Sequence, residues 1–96
     1  MELRKGYLNK LKDNSPYFKI LLDQNPLNVQ EIYSIIHTIA GTSGMYGLKD
    51  ISETSTEFEF YLKPIKDNPD SMQSEELKNK FSNYINRIEK LISEGE

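Results

Sequence analysis

The residue best suited to chemistry in this chain is its single histidine, His37, within the stretch SIIHTIAGTSGMYG at positions 34–47. Gly41 and Gly44 follow it at four and seven residues. A glycine inside a helix costs about 1 kcal/mol relative to alanine, so these glycines need a reason. Helical residues turn by about 100° each, which places both glycines within about 40° of His37. They would leave the imidazole uncovered and let another surface approach the helix backbone.

The apolar residues of the same segment point elsewhere. Val29, Ile32, Ile36 and Ile39 recur at helical spacing and centre about 120° from His37. His37 is therefore predicted on an outward or boundary face of its helix. The residues within about 60° of it form a predicted partner surface, which comprises Tyr33, Ser34, Ala40, Gly41 and Gly44.

A lone histidine is also compatible with roles that involve no partner. The plainest is an ordinary polar residue on a helix surface. A zinc site is disfavoured because the chain has no second histidine and no cysteine. A hydrolytic triad is weakly supported because no nucleophile elbow surrounds any serine.

Composition narrows the classes of function. The 96 residues are enough for one domain with a modest core. The net charge is −3 and the basic residues form no stripe, which argues against nucleic-acid binding. No segment approaches the roughly 20 apolar residues of a membrane span, and the N-terminus lacks a signal-peptide pattern. We expect a cytoplasmic protein that neither spans a membrane nor holds a metal or cofactor.

Every strong periodic pattern in the chain is helical, and no alternating strand pattern occurs. Ser15 and Asn28 suit helix N-caps, whereas Gly47 and Pro64 suit helix ends. The sequence predicts an all-α fold: an antiparallel up-down four-helix bundle with an additional N-terminal helix, in a single domain over residues 1–96. The additional helix is predicted at about residues 2–13 and the bundle helices at about 15–24, 28–46, 50–63 and 73–93.

The segment HTIAGTSGMYGLKDISETSTEFE, which begins at His37, resembles the signature of histidine-containing phosphotransfer (HPt) domains. It is also similar to the N-terminal phosphorylated domain of chemotaxis histidine kinases. His37 matches the phosphorylated histidine, and Gly41 the glycine four residues later. Gly47 matches the glycine of an aliphatic-glycine step, and Glu59 an acidic position of the next helix. The resemblance covers residues 28–62, and the other segments agree only in helical pattern.

The resemblance implies a histidine phosphocarrier in a two-component multistep phosphorelay, without catalytic activity of its own. A histidine kinase or a phosphorylated response-regulator receiver domain would give His37 its phosphoryl group, and a receiver aspartate would take it. The receiver would bring Mg²⁺ and a lysine, and the domain could belong to a larger signalling chain. Two interpretations of Glu59 stay open. If it accepts a hydrogen bond from Nδ1–H of His37, it orients the ring and leaves the lone pair on Nε2; otherwise it is an ordinary solvated carboxylate on its helix.

Two positions depart from the family pattern: Tyr46 is aromatic where the family has an aliphatic residue, and the departure that matters is at Ala40. The family usually has a lysine three residues after the histidine, near the phosphoryl group, whereas this chain has Ala40. Two alternatives therefore stay open: a receiver-docking regulatory module that is not phosphorylated, and a purely structural or dimerising bundle. Phosphate on His37 would separate the phosphocarrier from both alternatives, and receiver binding without phosphate would separate the two alternatives from each other.

Overall fold

The computed structural model describes residues 2–24, 27–67 and 75–95, which form five α-helices and no strand within those ranges. The helices are α1 (Glu2–Asn14), α2 (Pro16–Leu22), α3 (Val29–Met45), α4 (Lys49–Asp67) and α5 (Glu75–Ser93). The predicted all-α fold is confirmed, although the predicted start of the last helix at residue 73 lies outside the described residues. None of these five helices is long and apolar enough to cross a membrane.

α3 and α4 form an antiparallel hairpin that is joined by a tight left-handed turn. Gly47 has a φ of +73°, which side-chain-bearing residues rarely adopt. Its N–H donates to the carbonyl of Gly44 at 3.1 Å, and the N–H of Leu48 donates to the carbonyl of Ser43 at 2.9 Å. These two bonds close the end of α3 as a Schellman motif, so Gly47 ends the helix as its type and position predict. The turn sends α4 back along the length of α3.

Each of the three long helices buries one stripe at the spacing that the sequence predicts, and the stripes meet in a shared core. Burial of each large apolar side chain contributes about 1.5–3 kcal/mol, so this core fixes the helices more than their propensity does. The stripes comprise Val29, Ile32, Ile36 and Ile39 of α3, then Ile51, Phe58, Leu62 and Ile65 of α4, then Leu77, Phe81, Tyr84, Ile85, Ile88 and Leu91 of α5.

A polar pair lies inside this core between α4 and α5. The hydroxyl groups of Ser55 and Tyr84 are 2.7 Å apart and bond to each other. Phe58 stacks on the Tyr84 ring with centroids 4.9 Å apart. Further along, Tyr61 of α4 donates to a carboxylate oxygen of Glu76 at 3.1 Å. Because later residues of α4 face earlier residues of α5, these two helices run antiparallel.

α1 and α2 follow one another along α3 and run antiparallel to it. Tyr7 of α1 contacts Tyr46 at the end of α3, with ring centroids 5.2 Å apart. Tyr17 of α2 donates to the carboxylate of Glu31 near the start of α3. α1 is therefore the predicted additional N-terminal helix. It lies end to end with α2, and together they run beside α3.

The two predicted N-caps have different outcomes. Asn28 caps α3, because its side-chain oxygen accepts the N–H of Glu31 at 3.1 Å. Ser15 does not cap α2. Its backbone is helical, with φ −60° and ψ −31°, and its hydroxyl donates to the carbonyl of Lys12 at 3.1 Å. A serine on helical backbone reaches the carbonyl of the preceding turn rather than the N–H groups of the next one.

α4 continues through Pro64 for another three residues, although the sequence predicts that the proline helps to end it. Pro64 removes one helix bond to the carbonyl of Phe60, and both residues lie on the exposed side of α4, where water can hydrate that carbonyl. Ile65 is only 4% exposed, so its burial stabilises the helix beyond the proline. The extra turn brings Lys66 to α3, where its carbonyl accepts a hydrogen bond from Gln30 at 3.2 Å.

Candidate functional site

His37 lies near the middle of α3 on its outward face. Its side chain is 67% exposed. The buried stripe of the same helix, from Val29 to Ser43, lies on the other side. The imidazole is therefore open to a second molecule.

Glu59 of α4 holds one edge of this imidazole. Its Oε2 lies 2.7 Å from Nδ1 of His37. An ionised carboxylate has no proton to donate, so Nδ1 carries the hydrogen and donates it to Glu59. In a neutral imidazole the lone pair then lies on Nε2. Of the two interpretations of Glu59, the structure shows the one with a contact to His37, and the role of Glu59 in orienting His37 stays a prediction.

Tyr33, one helical turn before His37, contacts both members of this pair. Its ring is stacked on the imidazole, with centroids 6.1 Å apart and 11° between the planes. Its hydroxyl donates to Oε2 of Glu59 at 3.3 Å. The ammonium of Lys66 lies 4.9 Å from the centroid of the Tyr33 ring. These four side chains, from two helices, form a connected group that we name the His37 cluster.

Small residues let α3 and α4 approach each other beside the His37 cluster. The hydroxyl of Ser52 donates to the carbonyl of Ala40 at 2.9 Å. A Cβ on Gly44 would lie 3.2 Å from the same hydroxyl oxygen, which is tighter than ordinary contact. A side chain at Gly44 would therefore press against Ser52, a constraint that the sequence did not indicate. Ala40 is only 8% exposed, which corrects the prediction that it lies on the open partner surface.

Gly41 has no comparable internal role. A Cβ there would meet no atom within 4 Å, and its φ is not positive. Like Ser34 and Gly44, it is exposed beside His37, whereas Tyr33 is half-buried. Folding of this chain therefore does not explain why residue 41 is a glycine.

A groove of about 680 Å³ runs between α3 and the α1–α2 pair. Ser34 and Thr38, which flank His37 on α3, belong to its wall together with Leu3 and Tyr7 of α1. Leu3 is 67% exposed despite its apolar side chain. The groove therefore places apolar surface next to the histidine.

A comparison with family models shows to which family this chain belongs. The family model described as "Hpt domain" matches residues 3–94. The chain belongs to the Hpt family. No curated protein and no solved structure matches it.

Hpt domains transfer phosphoryl groups in phosphorelays, where they act as carriers and interact with kinases and receiver domains. This Hpt domain therefore has a phosphotransfer role. The chain holds a single histidine, His37.

The sequence did not indicate two members of the His37 cluster in their present roles. It assigned Tyr33 only to the partner surface, although the four-residue spacing to His37 is the spacing of stacked helical neighbours. The bond from Tyr33 to Glu59 depends on how α4 is aligned with α3, which no local pattern reveals. Lys66 lies beyond Pro64, where the sequence predicted no helix, so nothing indicated that it would reach Tyr33.

Proposed function

We propose that this Hpt domain is a histidine phosphocarrier in a multistep phosphorelay and that His37 carries the phosphoryl group on Nε2. The observation that carries the proposal is an exposed imidazole whose Nδ1–H donates to Glu59 at 2.7 Å. Such a ring keeps its nucleophilic lone pair on the nitrogen that a partner can reach. The partners would be a receiver domain, a histidine kinase or both.

Transfer from the aspartyl phosphate of a receiver would be an in-line displacement. The lone pair of Nε2 forms a bond to phosphorus while the P–O bond to the aspartate breaks, and the electron pair of that bond leaves on the carboxylate oxygen. His37 keeps the proton on Nδ1, so the phosphorylated ring becomes an imidazolium. The carboxylate of Glu59 lies against that positive charge and stabilises it. Donation to the next receiver is the reverse reaction.

The partner surface that we propose centres on His37 and includes the exposed residues Ser34, Gly41 and Gly44, with Tyr33 at its half-buried edge. Gly41 supports this assignment most directly. A helical glycine costs about 1 kcal/mol, and within the described residues no atom lies in the space that a Cβ of Gly41 would fill. A partner that brings a phosphorylated aspartate to Nε2 must approach α3 closely, which an uncovered backbone permits.

A second candidate is a receiver-docking module that is not phosphorylated. The observation in its favour is Ala40, which stands where similar sequences have a lysine. Without that cation, fewer groups near His37 stabilise the charge of a phosphoryl group. The same surface would then bind a receiver without transfer.

Single-turnover transfer distinguishes the two candidates. A panel of purified receiver domains, each charged with radiolabelled acetyl phosphate, is mixed with the chain. We expect acid-labile, base-stable label on the wild type and none on His37→Gln. Glu59→Gln should slow transfer by about three- to tenfold, because it replaces a charge-assisted hydrogen bond with a neutral one, a difference of about 1 kcal/mol.

Glu57→Gln is the matched control for Glu59→Gln, because it makes the same chemical change at an exposed position of α4. It should transfer at the wild-type rate. Label that persists on His37→Gln would exclude His37 as the carrier. A receiver that binds the wild type but transfers nothing to it would favour the docking module.

A further inference from the structure

Tyr33 bridges the two residues on which the proposed transfer depends. Its ring is stacked on His37 at 6.1 Å between centroids, and its hydroxyl donates to Oε2 of Glu59 at 3.3 Å. The same Oε2 accepts the Nδ1–H of His37 at 2.7 Å. One carboxylate oxygen thus receives two donors that lie one turn apart on α3.

These two donors hold a side chain that would otherwise be mobile. Ordering a long charged side chain such as glutamate costs up to about 2 kcal/mol in rotamer freedom. The side chain of Glu59 is 20% exposed, so water competes for its oxygens. The hydroxyl of Tyr33 reaches Glu59 from α3, which keeps Oε2 on the side where Nδ1 of His37 lies.

The ring of Tyr33 is itself held by the end of α4. Nζ of Lys66 lies 4.9 Å from the ring centroid, within the range of a cation–π contact, and 3.1 Å from Oδ1 of Asp67. The carbonyl of Lys66 accepts a hydrogen bond from Gln30 of α3 at 3.2 Å. This last turn of α4 is therefore tied to α3 and keeps an ammonium against Tyr33.

We propose that Tyr33 is a positioning residue: through Glu59 it keeps the proton of His37 on Nδ1 and the lone pair on Nε2. This inference rests on the proposed function, because a free Nε2 matters for transfer only if it accepts the phosphoryl group. The tautomer of an imidazole is set by the hydrogen bond that one of its nitrogens makes. When Glu59 is held less firmly, more molecules carry the proton on Nε2, and these have no lone pair there with which to attack phosphorus.

Tyr33→Phe tests the inference, because it removes the hydroxyl and keeps the ring. Tyr61→Phe is a closely matched control: Tyr61 also donates to a carboxylate, that of Glu76, and its ring also lies near an ammonium, that of Lys80 at 5.6 Å. Nitrogen-15 NMR reads the tautomer directly, since His37 gives the only imidazole signals. The spectra are recorded well above the ordinary imidazole pKa of about 6.5. Circular dichroism checks that both variants fold.

We expect Tyr33→Phe to lower the fraction of Nδ1–H tautomer and to slow single-turnover transfer by roughly two- to fivefold. Tyr61→Phe should change neither. In a Glu59→Ala background, Tyr33→Phe should have no further effect on the tautomer, because Tyr33 acts through Glu59.

An unchanged tautomer in Tyr33→Phe would overturn the inference, whatever the transfer rate. An equal shift of the tautomer in Tyr61→Phe would also overturn it, because the effect would not depend on the His37 cluster. A shifted tautomer in Tyr33→Phe, together with no transfer to the wild type, would count against the proposed function and not against the positioning of His37 by Tyr33.

Discussion

Gly41 lowers the stability of α3 and keeps the backbone open beside His37. The residue is exposed, helical and without any contact that a Cβ would disturb. At such a position alanine gives a free energy of unfolding about 0.5–1 kcal/mol higher than glycine does. The proposed partner surface gives a reason for keeping glycine there, and that reason can be tested separately from folding.

Gly41→Gln should raise the helix content slightly and weaken receiver binding. The new side chain would project about 40° round the helix from His37, where it would prevent a close approach to α3. Calorimetric titration with a receiver that labels the wild type measures the affinity. Gly6→Gln is the control, because Gly6 is also helical and exposed and has no atom within 4 Å of a Cβ, but lies on α1. Equal affinities for wild type and Gly41→Gln would remove Gly41 from the partner surface.

The pairing of α3 with α4 determines which residues surround His37. The Schellman turn at Gly47 fixes where α4 begins, and the hydrogen bond from Ser52 to the carbonyl of Ala40 holds α4 close to α3. Glu59 therefore reaches Nδ1 of His37 because of this pairing and not because of any signal in its own neighbourhood.

The two glycines of α3 should respond differently to the same substitution. Gly41→Ala should stabilise the chain by about 0.5–1 kcal/mol, because it only improves helix propensity. Gly44→Ala should leave the chain about 1 kcal/mol less stable than Gly41→Ala does. The reason is that the new Cβ would displace the Ser52 hydroxyl, which donates a hydrogen bond to the carbonyl of Ala40. Urea unfolding of both variants measures the free energies. Equal stabilisation by both would show that the contact between Gly44 and Ser52 does not limit the approach of α4 to α3.

At the scale of the whole molecule, one buried polar pair makes stability depend on pH. Burial raises the pKa of the Tyr84 hydroxyl far above its ordinary value, while its hydrogen bond with Ser55 acts in the opposite direction. The folded state therefore keeps the Tyr84 proton at alkaline pH, whereas the unfolded chain releases it near the ordinary tyrosine pKa of about 10. The resulting stability is fully present below about pH 10 and is lost as the pH rises further.

Tyr84 should therefore leave the free energy of unfolding unchanged below about pH 9 and should lower it above about pH 10, by up to about 1.4 kcal/mol per pH unit. The double variant Tyr84→Phe/Ser55→Ala removes the ionisable group without leaving an unpaired buried hydroxyl, so its fall should be shallower. Tyr61→Phe, which replaces a more exposed tyrosine, should change the slope less. Urea titrations over this pH range give the slope of the free energy of unfolding against pH. Identical slopes for the wild type and the double variant would show that Tyr84 does not cause the loss of stability at alkaline pH.

The sequence by itself determined the features that depend on neighbours along the chain. Helical periodicity assigned the buried stripes and the outward face of His37, Asn28 predicted its own cap, and Gly47 predicted the end of α3. The ordered set of matches from His37 through Gly41 and Gly47 to Glu59 carried the family resemblance, and Glu59 was a candidate contact of His37. These signals are local because capping bonds and helix faces are set within about one or two turns.

Only the tertiary structure decided how the helices are aligned, and with that the surroundings of the histidine. It buried Ala40, placed Ser52 where a side chain at Gly44 would press on it, and extended α4 past Pro64, where Ile65 is buried in the core. It also brought Lys66 to Tyr33. These contacts join residues that are far apart in the chain, and they exist because apolar stripes on different helices are buried together, which no local pattern of residues encodes.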